Sequence, residues 1–116
     1  MWKHFKIEEF KCPCCGGLII DEHLVDLLDQ AREIAGVPFV ITSGYRCNKH
    51  NEEIGGKPNS AHLKGQAADI AVPSSQHCYA ILRALLEVGF MRIGIAKDFI
   101  HVDIDWSKPH PVIWVY

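Results

Sequence analysis

No run of 18 apolar residues occurs in this sequence, so it offers no segment able to cross a bilayer as a helix. A basic surplus is also missing. The 12 Lys and Arg stand against 14 Asp and Glu, a formal net charge of −2, which argues against a nucleic-acid partner. The first residues, Met1-Trp2-Lys3-His4-Phe5-Lys6, lack the apolar core of a secretory signal. The chain is therefore expected to act where it is made, to leave by another route, or to have lost a leader. The five cysteines, Cys12, Cys14, Cys15, Cys47 and Cys78, are an odd number, which does not suit a disulfide framework. Internal repeats, low-complexity tracts and linkers are absent as well. The 116 residues suffice for one core without staples, so the expectation is a single domain over 1–116, working as a monomer.

What is there reads as alternating elements. Residues 1–20 form an N-terminal arm, docked by Phe5, Ile7 and Phe10 and ending in a Cys/Gly/Pro turn at 12–17. Asp21 is placed to cap a helix whose stripe is Leu24, Val25, Leu27, Leu28, Ala31, Ile34 and Ala35, with Gly36 as its stop. A buried strand over Val37–Thr42 and a short helix over 46–54 follow. Ser60 caps one helical turn that Gly65 breaks, and Gln66–Val72 is a second strand. Ser74-Ser75 cap a second long helix running to about Val88, with Cys78, Ile81, Leu82, Leu85 and Leu86 as its apolar stripe. Arg92–Ala96, Phe99–Asp105 and Pro111–Tyr116 are strand-like, with Lys97-Asp98 as a hairpin turn. This order predicts an α+β fold, a mainly antiparallel sheet with helices packed on one face.

Strand parity then concentrates polar chemistry. Phe99, His101, Asp103 and Asp105 share one face of their strand, opposite Ile100, Val102 and Ile104. Asp69 shares a face with Ala67 and Ala71, small neighbours that leave room for an approaching group. Catalytic zinc takes three N or O ligands and keeps a position open for water. His62, Asp69 and His101 supply two imidazoles and a carboxylate, one from a turn and two from strands. The remaining histidines, His4, His23, His50, His77 and His110, have no such setting.

Three blocks in order complete the pattern: Ser43-Gly44-Tyr45-Arg46, Ser60-Ala61-His62 through Ala68-Asp69, and Phe99-Ile100-His101-Val102-Asp103. Together they resemble the peptidase M15 family of zinc D-Ala-D-Ala carboxypeptidases, and more narrowly the small domains of phage endolysins and bacterial cell-wall enzymes. The resemblance implies a hedgehog/DD-peptidase-like fold and one catalytic Zn2+ on His62, Asp69 and His101. It implies hydrolysis of peptidoglycan stem or cross-link peptides, by a carboxypeptidase or an endopeptidase. It places Arg46 and Ser60 at the substrate, with Arg46 facing a carboxylate or a developing oxyanion. Asp98, three residues before His101, matches the base position of many members. Asp103, on the His101 face, is the alternative, as base or as support for His101.

Cys12, Cys14, Cys15 and Cys47 could form a small structural zinc site tying the arm to the Ser-Gly-Tyr-Arg loop; the other reading is free thiols or a single disulfide between the arm and Cys47. The alternative functional reading is a non-catalytic zinc-binding module on the same scaffold, recognising cell-wall peptides or a protein, as in the hedgehog domains.

Overall fold

The computed structural model describes residues 2–116, so Met1, the first residue of the expected arm, lies outside it. Its long helices are α1 (Glu22–Ala35) and α3 (Ser75–Glu87), and α2 (Asn48–Glu53) is short. The strands are β1 (Ile41–Ser43), β2 (Ala67–Ala71), β3 (Arg92–Ile95), β4 (Phe99–Asp103) and β5 (Val112–Val115). They form one sheet in the order β1-β2-β4-β3-β5, antiparallel throughout except for the parallel β3–β5 pair. The expected α+β class and mainly antiparallel sheet are what the structure shows.

Local chemistry sets the helix ends. The Asp21 carboxylate accepts from the His23 N–H at 2.9 Å, and Gly36 closes α1 at φ 69°. Ser74 caps α3 by accepting from His77 N–H at 3.1 Å. Both helices pack on one face of the sheet. Leu24, Val25, Leu28 and Ala31 of α1 and Ile81, Ala84 and Leu85 of α3 share a core with Ile70, Ile93, Ile100 and Val102. The stripe expected for α3 needs one correction: Leu86 is 48% exposed, and Ala84 is buried in its place.

The strand expected over Val37–Thr42 is shorter and later, beginning at Ile41. Val40 contributes its carbonyl to Ala71 N–H at 2.9 Å, but its side chain is exposed, and the register slips between Ile41 and Ser43. The arm is not wholly irregular, since Ile7–Phe10 makes a 3-10 turn that ends in the fully buried Phe10. Burying such a ring is worth about 1.5–3 kcal/mol. Beyond it, Trp2 Nε1 donates to Asp26 at 2.7 Å, and Asp29 accepts from the His4 N–H at 2.7 Å.

The turn that carries His62 is fixed at both ends. Ala61–Lys64 is a 3-10 turn between Ser60, whose Oγ accepts from His62 N–H at 3.2 Å, and Gly65 at φ 69°. The Gly65 carbonyl accepts from Asp21 N–H at 2.8 Å, so this turn lies against the start of α1. A Cβ at Gly65 would overlap the backbone of Ile19 and Ile20. Gly65→Ala therefore combines a left-handed backbone with backbone-to-Cβ overlap. It is expected to lower stability by at least about 2 kcal/mol, read as a drop in the urea midpoint at constant slope.

Candidate metal centre and active site

The sheet face away from the helices carries the polar groups. Antiparallel pairing of β2 with β4 sets Asp69 directly opposite His101 and Ala67 opposite Asp103. On the outer side of β2, Ser43 of β1 sits opposite Asp69. On the far side of β4, Gly94 of β3 sits opposite His101. His101 Nδ1 consequently lies 3.0 Å from Asp69 Oδ1. His62 reaches the same oxygen from its turn, with Nε2 3.3 Å away. The three residues are buried, and their donor atoms lie within 4.8 Å of one another.

The second nitrogen of each ring is committed. His62 Nδ1 lies 2.7 Å from the Gly44 carbonyl, which can only accept, so Nδ1 carries the proton and Nε2 presents its lone pair. That Nε2 is buried without a hydrogen-bond partner, the one such side-chain atom among the described residues. His101 Nε2 lies 2.7 Å from Asp103 Oδ2 and donates to it, leaving Nδ1 to face Asp69. Two ring nitrogens thus converge on one carboxylate oxygen, an arrangement that suits a cation between them. The spacing agrees, since metal–ligand bonds of about 2.0–2.1 Å in a tetrahedron place neighbouring ligands about 3.3 Å apart. A buried His, Asp, His set with an orphaned imidazole nitrogen fits a divalent zinc-like ion.

Charges reinforce the site. Burial alone would raise the Asp69 carboxyl, but the His101 hydrogen bond and the adjacent His62 ring outweigh it and hold the group below the ordinary carboxylate range. Burial likewise opposes charge on His101, yet its bonds to Asp103 and Asp69 raise its pKa. Asp103 is lowered in spite of burial, through His101 and then Arg92.

Arg46 stands beside Asp69. Its Nε donates to Ser43 Oγ at 3.1 Å, Nη1 to Asn51 Oδ1 at 3.2 Å, and Nη2 to Asp69 Oδ2 at 3.4 Å. Ser60 lines the same cleft but spends its hydroxyl on capping the His62 turn. The cleft has a volume of about 700 Å³. Asp98 is not part of it. Its side chain is exposed in the β3–β4 hairpin, and its carbonyl accepts from Val72 N–H at 2.8 Å. Strand parity puts it on the Ile100 side, and the short turn does not rotate it inward. Asp103 does line the cleft, but both its oxygens are engaged. Oδ2 binds His101, while Oδ1 accepts from Arg92 Nε at 2.7 Å and Asp105 N–H at 3.1 Å.

Several contributors escaped the sequence reading. Asn51, 2% exposed, carries Arg46 on its Oδ1 and donates to the Lys57 carbonyl at 2.9 Å. Its signal was faint, one amide in a short helix without an apolar stripe. Arg92 completes the chain behind His101 and also stacks over Trp114, with its guanidinium carbon 5.2 Å from the ring centroid. Trp114 packs against His101 at 5.4 Å between ring centroids and over Gly94, where a Cβ would collide with the indole. The cysteine cluster is near but separate. Cys12, Cys14 and Cys47 gather beside the Ser43–Arg46 loop.

Comparison with known proteins bears on the fold and the family. The fold is similar to that of the Serratia marcescens L-Ala D-Glu endopeptidase ChiX, with a TM-score of 0.54 over 76% of this chain and 82% of that one. At 21% identity, that likeness is one of fold. None of the curated proteins compared matches the sequence. Residues 3–103 match the peptidase M15 family, a span that takes in the arm, Arg46, both histidines and Asp69. On that match over most of its length, the chain belongs to the peptidase M15 family.

Proposed function

We propose that this peptidase is zinc-dependent and hydrolyses the stem or cross-link peptides of peptidoglycan. The observation that carries the metal assignment is the buried, unpartnered Nε2 of His62, aimed at the same Asp69 oxygen that His101 faces. His62 Nε2, Asp69 Oδ1 and His101 Nδ1 would hold the ion. When bound, zinc supplies Lewis-acid polarisation of the scissile carbonyl and a lowered pKa for water.

The chain's own residues do the rest by position and charge. Gly44 fixes the tautomer of His62 through its carbonyl, and Asp103 does the same for His101 through its carboxylate. Arg92 holds Asp103 in turn. Asp103 lies across the imidazole from Nδ1 with both oxygens engaged, which supports a positioning role over that of the base. The Arg46 fork faces the oxygens at this centre and can donate to negative charge developing on a scissile carbonyl or to a terminal carboxylate. Lys57 and Lys108 line the cleft as well, which favours peptides rich in carboxylates. The substrate class is further supported by the ChiX relative, whose name specifies an L-Ala–D-Glu bond, a linkage between L- and D-residues of the sort that peptidoglycan stems contain.

Mass spectrometry of products from defined muropeptides, with and without a chelator, tests the reading. Cleavage within the peptide that chelation stops and zinc restores is expected, and the fragments name the bond. Chelator-resistant cleavage would overturn the metal assignment, and intact muropeptides would overturn the substrate. Asp103→Asn tests the positioning role. It keeps the shape but cannot accept as strongly from His101, so zinc affinity is expected to fall about 10–100-fold. Asp98→Asn is expected to leave both zinc affinity and turnover unchanged, and a collapse of turnover there would restore Asp98 as the base.

A further inference from the structure

Cys47 Sγ lies 3.7 Å from Cys12 Sγ and 3.8 Å from Cys14 Sγ. The three sulfurs lie within 4.8 Å of one another. A disulfide would bring a pair to about 2.05 Å. Zinc–sulfur bonds of about 2.3 Å in a tetrahedron put neighbouring sulfurs about 3.8 Å apart. The spacing found is that of sulfurs around a metal.

The backbone is shaped in the same sense. Cys12 and Cys15 have the C-x2-C spacing of zinc ligands. The turn between them closes through Cys12 N–H to the Gly17 carbonyl and Gly16 N–H to the Cys12 carbonyl, each 2.8 Å, with Gly16 at φ 69°. Gly17 N–H donates to Cys15 Sγ at 3.3 Å, and His50 N–H to Cys47 Sγ at 3.4 Å. Donors arrayed on sulfur favour thiolates over thiols, and thiolates are what a metal binds. Cys15 follows Cys14 directly and is the fourth cysteine of the cluster, outside the three-sulfur group. His50 groups with Cys14 and Glu53 and, like Cys15, stands outside the three-sulfur group, so the C-x2-C spacing is what favours Cys15 as the fourth ligand.

We propose that Cys12, Cys14, Cys15 and Cys47 form a second metal site, which takes one structural zinc ion and clamps the arm to the loop that carries Gly44 and Arg46. That loop is the one behind the first metal centre. Tyr45 N–H donates to the Phe10 carbonyl at 2.7 Å, and a Cβ on Gly44 would stand 2.6 Å from the same oxygen. Gly44 in turn accepts from His62, and Arg46 N–H donates to the His62 carbonyl at 3.1 Å. The thiolate site thus anchors both sides of the contact that orients His62 and Arg46. Its metal would do no chemistry.

Metal content and cobalt spectra of the full chain, purified under reducing conditions, test this without relying on activity. Wild type is expected to hold about two zinc ions, and His62→Ala/Asp69→Asn to keep about one. Cys14→Ser/Cys47→Ser is expected to lose the thiolate ion and to unfold at lower temperature. Cobalt added to metal-free wild type is expected to give thiolate-to-cobalt charge-transfer absorption. That absorption persists in the His62/Asp69 variant and vanishes in the cysteine variant. Its absence from reduced wild type would overturn the proposal even if every cysteine variant failed to fold. So would a zinc count of one in wild type that falls to none in the His62/Asp69 variant. Retention of the thiolate ion in Cys15→Ser together with its loss in His50→Ala would overturn Cys15 as the fourth ligand.

Discussion

His62→Ala is expected to abolish peptide hydrolysis while leaving the chain folded. The Nε2 it removes is the buried imidazole nitrogen that no protein group satisfies. Two donors, Asp69 and His101, then remain, and at 3.0 Å they can close on each other as an ion pair. A loss of more than about a thousandfold in kcat/KM corresponds to more than about 4 kcal/mol of transition-state stabilisation. The structural cost is smaller. The Gly44 carbonyl loses its donor, a penalty of about 1–3 kcal/mol, partly offset because an unpartnered buried nitrogen is removed too. Turnover of purified peptidoglycan, zinc content and the far-ultraviolet circular dichroism spectrum check the three parts together. Wild-type turnover in a folded His62→Ala protein would sink the assignment of this cleft as the active site. A wild type that holds zinc but shows no turnover, with that zinc lost in His62→Ala, would favour a binding module on the same scaffold.

The grouping of Asp69 with His101 was legible because its geometry follows from strand parity. Asp69 and His101 were each assignable to one face of their own strands, and the β2–β4 register then set them opposite each other. His62 was legible for a different reason, since Ser60 and Gly65 bracket a turn of fixed length. The support behind these groups was not readable in the same way. Arg92 meets Asp103 because β3 lies beside β4, and Trp114 meets His101 because β5 joins β3 in parallel. A parallel neighbour depends on how the chain crosses over, which local alternation does not encode. Asn51 is a similar case, as its burial comes from Arg46 and the Lys57 carbonyl and not from any apolar pattern in α2.

The two candidate bases show parity and partners pulling apart. Parity placed Asp98 with Ile100, and the hairpin keeps it there, in solvent. Parity placed Asp103 with His101 correctly, but could not tell that His101 and Arg92 would take up both of its oxygens. A carboxylate on the expected face is thus bound up by what surrounds it. The strand expected from Val37 failed for an energetic reason. With Val40 exposed and a slip in pairing at Ile41–Ser43, only the last residues gain a ladder worth keeping.

Arg46→Lys is expected to lower kcat/KM about 10²–10³-fold, about 2.7–4 kcal/mol, with zinc content unchanged. The substitution keeps the charge, so what it tests is the fork. Arg46 is held from three directions by Ser43, Asn51 and Asp69, and its side chain is only 12% exposed. An ammonium is a point donor on a flexible stem and cannot make those three bonds in one plane. It would also leave Asn51 Oδ1 without its partner in a buried position. How the loss divides shows what Arg46 does. A fall in kcat at constant KM, equal for peptides ending in a free acid and in an amide, is the signature of a donor to the developing oxyanion. A rise in KM confined to free-acid peptides is the signature of a clamp on a terminal carboxylate, and with it of a carboxypeptidase. Because Nη2 already lies 3.4 Å from the Asp69 oxygen that does not face the histidines, the oxyanion outcome is the one expected. Wild-type kcat and KM on both kinds of peptide would remove Arg46 from the reaction and leave it as the buried tie between α2 and the metal-binding face.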